Sequence, residues 1–198
     1  MKKIVSLFQR NYDTDRLVRD ELVPGAEWVA NGEGVATRKW DGACTMIRDG
    51  QLFKRFEAKG EHLAGIKPLP AGWERADDRD ATTDKQMGWA PVRADEPADC
   101  FMVQAFNARH VDDREDGTYE FLGPKSQGNV EGFSEHRLVR HRDAGALDAP
   151  RTFDALRAFL ADHDDIEGIV WHHPDGRMVK IKGKDFGIKR RKTEVVHA

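Results

Sequence analysis

An Asp-Gly pair between two apolar runs limits the fold of this chain more than any other feature. Asp49 and Gly50 divide the segment 44–58, which reads CTMIRDGQLFKRFEA. Asp-Gly between alternating apolar residues is the strongest short-range signal for a β-hairpin, because the tight turn needs residues that tolerate positive φ. A second hairpin is predicted over 167–183, with its turn at 174–176, Pro-Asp-Gly. The sequence therefore predicts at least two antiparallel strand pairs.

The other segments add elements without the strand-helix-strand alternation of a parallel sheet. Further strands are predicted at 2–8, 117–125 and 135–142, and helices at 13–22 and 152–164. Asp13 or Thr14 would cap the first helix, and Thr152 the second. The segment 98–109 fits either a strand or a helix. The pattern predicts an α+β fold of largely antiparallel sheets with flanking helices.

The 198 residues show no repeat and no low-complexity segment, and they predict one globular domain over 1–198. The segment at about 60–98 is rich in Gly, Pro, Asp and Ala, and we expect a long loop with little regular structure there. Such loops are uncommon unless they serve a functional site. Residues 183–198 are predicted to form a basic C-terminal tail.

The formal net charge of −3 argues against a protein that holds nucleic acid by bulk charge alone. The basic residues are nevertheless concentrated in one segment: Lys180–Lys192 contains seven Lys or Arg and one Asp. A basic segment of this kind is as often a solvated end as part of a binding groove. Both interpretations stay open at this point.

The two cysteines, Cys44 and Cys100, have no spacing typical of a disulfide framework or a metal knot. Zinc is therefore not expected, and a reducing cytoplasmic setting is the simplest interpretation. The N-terminal run MKKIVSLFQRNYD is interrupted at Gln9-Arg10, which is too early for a signal peptide or a membrane span. The sequence predicts a cytoplasmic protein that does not enter a membrane.

The stretch RKWDG, residues 38–42, precedes the first predicted hairpin and has two interpretations. It could be a charged turn, with Asp41-Gly42 supplying the bend. Alternatively, Lys39 is a nucleophile. The charged residues that would serve a site with it are Arg55, Glu120, Glu167, Lys180 and Lys182.

Strand geometry favours the second interpretation. Side chains alternate between the faces of a strand, so Lys180 and Lys182 point the same way, and the second hairpin returns their strand alongside Glu167. Desolvation and nearby like charges lower the pKa of an amine, which is how an amine becomes nucleophilic at neutral pH. Each residue alone fits an ordinary surface role, whereas the ordered set favours a functional site.

Four short motifs follow one another between Lys39 and Lys182: KWDG at 39–42, TYEFLG at 118–123, EGIV at 167–170 and VKIK at 179–182. In this order they resemble motifs I, III, IV and V of the covalent nucleotidyltransferase superfamily, which contains ATP-dependent DNA ligases, RNA ligases and mRNA capping enzymes. The segments YEFLGPKSQGN and GWAPV look most like the small RNA ligase family that includes the vertebrate 5′-3′ RNA ligase. The resemblance implies the adenylation-domain fold of that superfamily.

The resemblance also implies an activity. Lys39 would attack the α-phosphate of ATP, form lysyl-AMP and release pyrophosphate, while Lys180 and Lys182 hold that phosphate and Asp41 orients the nucleophile. The residues implied to bind the nucleotide are Arg38, Lys39, Arg55, Glu120, Glu167, Lys180 and Lys182. The AMP would then pass to an RNA 5′-phosphate, and a 3′-hydroxyl would displace it to seal the strand.

The implied cofactor is a hard cation, because carboxylates without a cluster of Cys or His suit Mg²⁺ or Mn²⁺. Glu167 and Asp41 are the candidate metal ligands. No OB-fold domain is expected beyond motif V, so a protein partner or basic side chains would have to hold RNA with 5′-phosphate and 3′-hydroxyl ends. The candidate RNA-binding residues are Lys125, Arg137, Lys189, Arg190 and Arg191.

Two other functions stay open. One is a nucleotidyltransferase with another acceptor, such as GMP capping, a DNA nick or a protein side chain. The other is a nucleic-acid-binding module without catalysis, which would leave Lys39, Asp41 and Glu167 unexplained. A role in RNA repair follows from the resemblance alone.

Overall fold

The computed structural model describes residues 4–80 and 83–193, which form two compact units. The inserted unit is Gly42–Asp143. The split unit comprises Ile4–Asp41 and residues 144–193, which precede and follow the insertion along the chain. Each unit has its own sheet and its own apolar core. The single domain over 1–198 stays a prediction.

Strands make up most of the regular structure. In chain order they are β1 (Val5–Ser6), β2 (Phe8–Arg10), β3 (Val18–Leu22), β4 (Val35–Lys39), β5 (Ala43–Arg48), β6 (Gln51–Lys59), β7 (Glu74–Arg75), β8 (Lys85–Pro91), β9 (Gly117–Leu122), β10 (Arg137–Arg140), β11 (Gly168–His172) and β12 (Met178–Lys182). The α-helices are α1 (Glu27–Ala30), α2 (Cys100–Asn107) and α3 (Phe153–Asp162). Strand pairing is antiparallel except between β1 and β12. The predicted α+β class with largely antiparallel sheets is confirmed.

A six-stranded sheet in the order β10-β9-β5-β6-β8-β7 organises the inserted unit. The predicted β5–β6 hairpin is confirmed, and Asp49 and Gly50 have φ values of 51° and 69°. Positive φ at both central residues is what a tight type I′ turn requires. The segment that fits either a strand or a helix is helix α2, which covers the buried cluster of Ile47, Leu52, Ala105, Tyr119, Phe121 and Leu138.

A four-stranded sheet in the order β1-β12-β11-β4 organises the split unit. The predicted hairpin of β11 and β12 is confirmed, as is helix α3, which buries Leu156 and Leu160. Thr152 occupies the N-cap position of α3, although its side chain makes no capping hydrogen bond. The core beneath this sheet includes Trp171, Ile169 and Ile181, each with no exposed surface.

The helix predicted over 13–22 is wrong, because its second half, Val18–Leu22, pairs with β2 as strand β3. Val18 is buried at the start of β3, and Arg16 has a φ of 60°, which interrupts any helix there. Asn11 Oδ1 accepts hydrogen bonds from the backbone N–H groups of Asp13 and Thr14, so these two residues belong to a turn. The strand predicted over 2–8 divides between β1 and β2; residues 2 and 3 lie outside the described residues.

The predicted loop at about 60–98 is wrong for residues 85–91, which form strand β8 between β6 and β7. Trp89 and Ala90 of this strand are buried. Gly88 permits the close packing of Trp73, since a Cβ at Gly88 would lie 2.2 Å from that indole ring. A partly buried strand therefore lies within a segment whose many turn residues predict a loop.

The predicted basic tail is wrong over its first part. Gly183–Phe186 forms a 3₁₀-helix that buries Asp185 and Phe186. The Phe186 ring packs edge-on against Phe8 and Phe153, with centroids 6.4 and 5.1 Å away. Residues 194–198 lie outside the described residues.

None of the helices that the structure describes has the length and the apolar composition needed to cross a bilayer.

Candidate active site

Sheet register places Lys39 and Lys182 on either side of one glycine in the split unit. Gly168 of β11 pairs with Lys39 of β4 on one side and with Lys182 of β12 on the other. A Cβ at Gly168 would lie 2.1 Å from the carbonyl oxygen of Ile181, so only glycine allows this close approach of the strands. The two lysines, far apart in sequence, are therefore held at the same level of the sheet.

Glu167 joins the two lysines. Lys39 Nζ donates a hydrogen bond to Glu167 Oε2 at 2.5 Å, and Lys182 Nζ donates to Glu167 Oε1. Lys39 Nζ also donates to the carbonyl oxygen of Trp40 at 3.2 Å. The Glu167 side chain is 10% exposed, and those of Lys39 and Lys182 are 20% and 17% exposed. We call these three residues the lysine–glutamate cluster.

The electrostatics of this cluster are dominated by the two ammonium groups. Burial alone would raise the pKa of Glu167, but the positive charges of Lys39 and then Lys182 outweigh it and hold that pKa below its ordinary value. The cluster thus contains one carboxylate and two cations. A net positive, half-buried surface of this kind suits a phosphate group.

Asp41 and Arg190 extend the cluster within the same unit. Arg190 Nη1 donates to Asp41 Oδ2 at 3.1 Å, and the guanidinium also donates to the carbonyl oxygen of Asp165 at 2.8 and 3.1 Å. Burial and then the negative charge of Glu167 raise the pKa of Asp41, although Arg190 and the lysines oppose this effect. Arg190, predicted to contact RNA, is 16% exposed and pairs with Asp41 in this structure.

Asp41 and Glu167 fit the donor set of a hard divalent cation. Both offer carboxylate oxygens, the ligands preferred by Mg²⁺ and Mn²⁺. The charge of Glu167 is one cause of the raised pKa of Asp41, so the two carboxylates repel each other. A bound cation would remove that repulsion.

Two other candidates lie beside this group. The Arg38 guanidinium stacks over the Trp40 ring at 4.3 Å and lies 3.9 Å from Asp165 Oδ2. Lys180 lies two residues before Lys182 on β12, where Val179 and Ile181 are buried and the lysines are half-buried on the opposite face. The alternation predicted for this strand is confirmed.

The remaining predicted nucleotide contacts, Arg55 and Glu120, belong to the inserted unit. Arg55 lies on β6 opposite Trp89, and its buried Nε atom has no hydrogen-bond partner among the described residues. Glu120 is 7% exposed on β9. Its Oε1 accepts a hydrogen bond from the Gly42 backbone N–H at 3.0 Å, and its Oε2 lies 2.8 Å from His141 Nε2.

The predicted RNA contacts are dispersed. Arg137 is exposed in the inserted unit, with its guanidinium 4.5 Å from the centroid of the Phe133 ring, and Lys125 is exposed as well. In the split unit Lys189 is exposed, and Arg191 donates to Asp164 Oδ1 at 3.0 Å. The described residues of each unit therefore supply separate basic side chains rather than one basic stripe.

Sequence reasoning missed His141 and Cys44. Cys44 Sγ, a Glu120 oxygen and a His141 ring nitrogen all lie within 4.8 Å of one another. The predicted Mg²⁺ or Mn²⁺ cofactor stays a prediction. Linear spacing gave no signal, because β5, β9 and the residue after β10 are brought together only by sheet pairing.

The sequence matches no protein-family model and no curated protein.

Proposed function

We propose that this chain is an ATP-dependent RNA ligase, a covalent nucleotidyltransferase in which Lys39 carries the AMP. The observation that carries the proposal is the lysine–glutamate cluster, in which one buried carboxylate joins the proposed nucleophile to a second lysine. A charged turn alone does not require an ion pair between Lys39 and Glu167, which precedes a distant hairpin. The ordered motifs of the sequence supply the reaction type.

In the first step, Lys39 Nζ attacks the α-phosphorus of ATP. A nitrogen–phosphorus bond forms, the bond from the α-phosphorus to the bridging oxygen breaks, and pyrophosphate leaves. The amine must lose a proton, and Glu167 Oε2 is the acceptor of its hydrogen bond in this structure. The proton then passes from Glu167 to solvent.

Charge neutralisation supports that step. Lys182 and Lys180 supply positive charge for the α-phosphate, whose negative charge increases in the transition state. Asp41 and Glu167 would hold Mg²⁺ or Mn²⁺, which supplies further neutralisation of the phosphate oxygens. Arg190 fixes the orientation of Asp41 through its hydrogen bond.

In the later steps, AMP passes from Lys39 to the 5′-phosphate of an RNA end. The phosphorus–nitrogen bond breaks, a pyrophosphate linkage forms, and the Lys39 amine takes up a proton from solvent. The 3′-hydroxyl of the other end then attacks the 5′-phosphorus and loses its proton to solvent, AMP leaves, and a phosphodiester remains. The proposal includes a role in RNA repair and a cytoplasmic location, where ATP is available.

Incubation with Mg²⁺ and α-labelled ATP or GTP, followed by a denaturing gel, tests the proposal. We expect covalent label from ATP in the wild type and in Lys184→Ala, which removes an exposed lysine as a matched control. Lys39→Arg, which keeps a positive charge beside Glu167, should lose the label. Label from GTP alone would favour a capping reaction. No label from either nucleotide, on folded protein free of bound AMP, would favour a binding module.

The acceptor is tested separately. Pre-labelled protein is mixed with 5′-phosphorylated RNA, the same sequence as DNA, or a bait protein. Transfer of label to RNA and sealing to a 3′-hydroxyl end are the expected results. Transfer only to DNA or only to protein would contradict an RNA ligase and would indicate a nucleotidyltransferase with that other acceptor.

A further inference from the structure

Three potential metal ligands of different chemistry meet in the inserted unit. Cys44 comes from β5, Glu120 from β9, and His141 directly follows β10. One ligand atom from each lies within 4.8 Å of the other two. This is the separation of ligand atoms that could close around one ion with small side-chain movements.

The sheet itself fixes two of these ligands. Cys44 and Glu120 are directly opposite each other in the β5–β9 ladder, so both side chains project from the same face. His141 reaches the same point from the end of β10, the neighbour of β9. Ligands on paired strands are held more rigidly than ligands on loops, which favours a site of defined geometry.

Hydrogen bonds to the outer atoms of the ligands orient them. The Gly42 N–H group binds Glu120 Oε1, which leaves Oε2 directed at His141 Nε2. His141 Nδ1 lies 2.9 Å from Thr118 Oγ1. When Nδ1 carries the ring proton it donates to Thr118, and Nε2 then presents its lone pair. Partners of this kind hold ligating histidines and carboxylates in metalloproteins.

We propose that Cys44, Glu120 and His141 form a Zn²⁺ site. A thiolate and an imidazole favour Zn²⁺ over Mg²⁺, whose preferred ligands are oxygens. Three protein ligands leave the fourth position of a tetrahedral site for water. On binding, the Cys44 thiol loses its proton to solvent, the His141 ring proton resides on Nδ1, and the Nε2···Oε2 hydrogen bond is replaced by two bonds to the metal.

The zinc site does not include the proposed nucleophile Lys39, which lies in the split unit. The two proposals share only Glu120, which the sequence resemblance assigns to the nucleotide. Metal binding is therefore measured without nucleotide. Failure of either proposal then leaves the other unaffected.

The first test titrates Co²⁺, and then Zn²⁺, into the reduced, metal-free full chain. We expect one Co²⁺ per chain with a thiolate-to-cobalt charge-transfer band that Zn²⁺ abolishes. The band should be absent in Cys44→Ser and unchanged in Cys100→Ser, which removes the exposed cysteine of α2. Thr118→Val should weaken Zn²⁺ binding about tenfold. Absence of a saturable band, or its persistence in Cys44→Ser, overturns the proposal.

A second test uses only the wild type, so it does not depend on the folding of variants. The chain is alkylated with iodoacetamide with or without Zn²⁺, and each cysteine is followed by peptide mass spectrometry. Zn²⁺ should protect Cys44 and leave the reactivity of Cys100 unchanged. Equal reactivity of Cys44 with and without Zn²⁺ contradicts the site.

Discussion

Glu167 of the split unit and Glu120 of the inserted unit are both largely buried, and both oxygens of each carboxylate are engaged, but their partners differ in charge. Two ammonium groups bind Glu167, whereas a backbone N–H and an imidazole ring bind Glu120. The first arrangement has excess positive charge and suits an anion. The second has a carboxylate beside a thiol and an imidazole, and suits a cation. The same residue type thus has opposite electrostatic surroundings in the two units.

The largest effect expected from this comparison is on stability. Glu167→Gln removes the carboxylate that accepts hydrogen bonds from two half-buried ammonium groups, and should lower the free energy of unfolding by about 4 kcal/mol. Glu120→Gln removes a hydrogen-bond acceptor whose partners need no counter-charge, and should cost about 1.5 kcal/mol. Urea unfolding of both variants measures the difference. Equal losses would mean that the charges of Lys39 and Lys182 do not distinguish the two sites.

A glycine in the split unit offers the next test. Gly168→Ala places a Cβ against the backbone of β12 and should destabilise the chain by about 3 kcal/mol through strand displacement. It should also separate Lys39 from Lys182 and reduce adenylylation. Gly145→Ala is the matched control, because nothing lies within 4 Å of its Cβ position, and should change stability by less than about 0.5 kcal/mol. Tolerance of Gly168→Ala would contradict the pairing of Gly168 with Lys182 between β11 and β12.

Acid should reveal the same ion pairs. The pKa of Glu167 is lower in the folded than in the unfolded chain, so its contribution is complete above its ordinary pKa of 4.5 and is lost as pH falls through the lowered native value. The pKa of Asp41 is raised in the folded chain, so the contribution of Asp41 to stability changes in the opposite direction and increases as pH falls toward 3.8. Urea unfolding from about pH 7 to about pH 3 should therefore show a steeper loss in wild type than in Glu167→Gln. Parallel profiles would refute the assignment to Glu167.

The smallest expected effect concerns Asp41. Its raised pKa means that the folded state opposes its ionisation, so Asp41→Asn should stabilise the chain at neutral pH. The side chain is 32% exposed, and solvent screening keeps the gain below about 1 kcal/mol. Adenylylation should nevertheless fall, because a metal ligand is lost. Asp148→Asn, at an exposed position of the same unit, should change neither property.

Local chemistry made much of the fold predictable. The β5–β6 turn was predicted because Asp49 and Gly50 tolerate the positive φ values that they adopt. Helix α3 was predicted because its apolar residues recur on one side. Strands β3 and β8 are not predicted by the sequence, because the residues of 13–22 and 85–91 show no strand pattern of their own. Pairing of β3 with β2 and of β8 with β6 decides their conformation instead.

The site was predictable to a different degree in each unit. Lys182 and Glu167 can be predicted to lie together because one hairpin connects them. Lys39 can be assigned to the same site only from the order of the sequence motifs. The position of Arg190 depends on how the C-terminal segment packs after the 3₁₀-helix at Gly183–Phe186, which sequence pattern does not specify. Cys44 and His141 meet through sheet pairing alone, which linear spacing does not show.

The most direct test of the central claim is to locate the nucleotide on the chain. Wild-type protein is incubated with ATP and Mg²⁺, denatured and digested under conditions that preserve the phosphoramidate bond, and its peptides are sequenced by mass spectrometry. We expect AMP on Lys39 and on no other lysine. AMP on Lys180 or Lys182 instead, or unmodified Lys39 after incubation with either ATP or GTP, would contradict it.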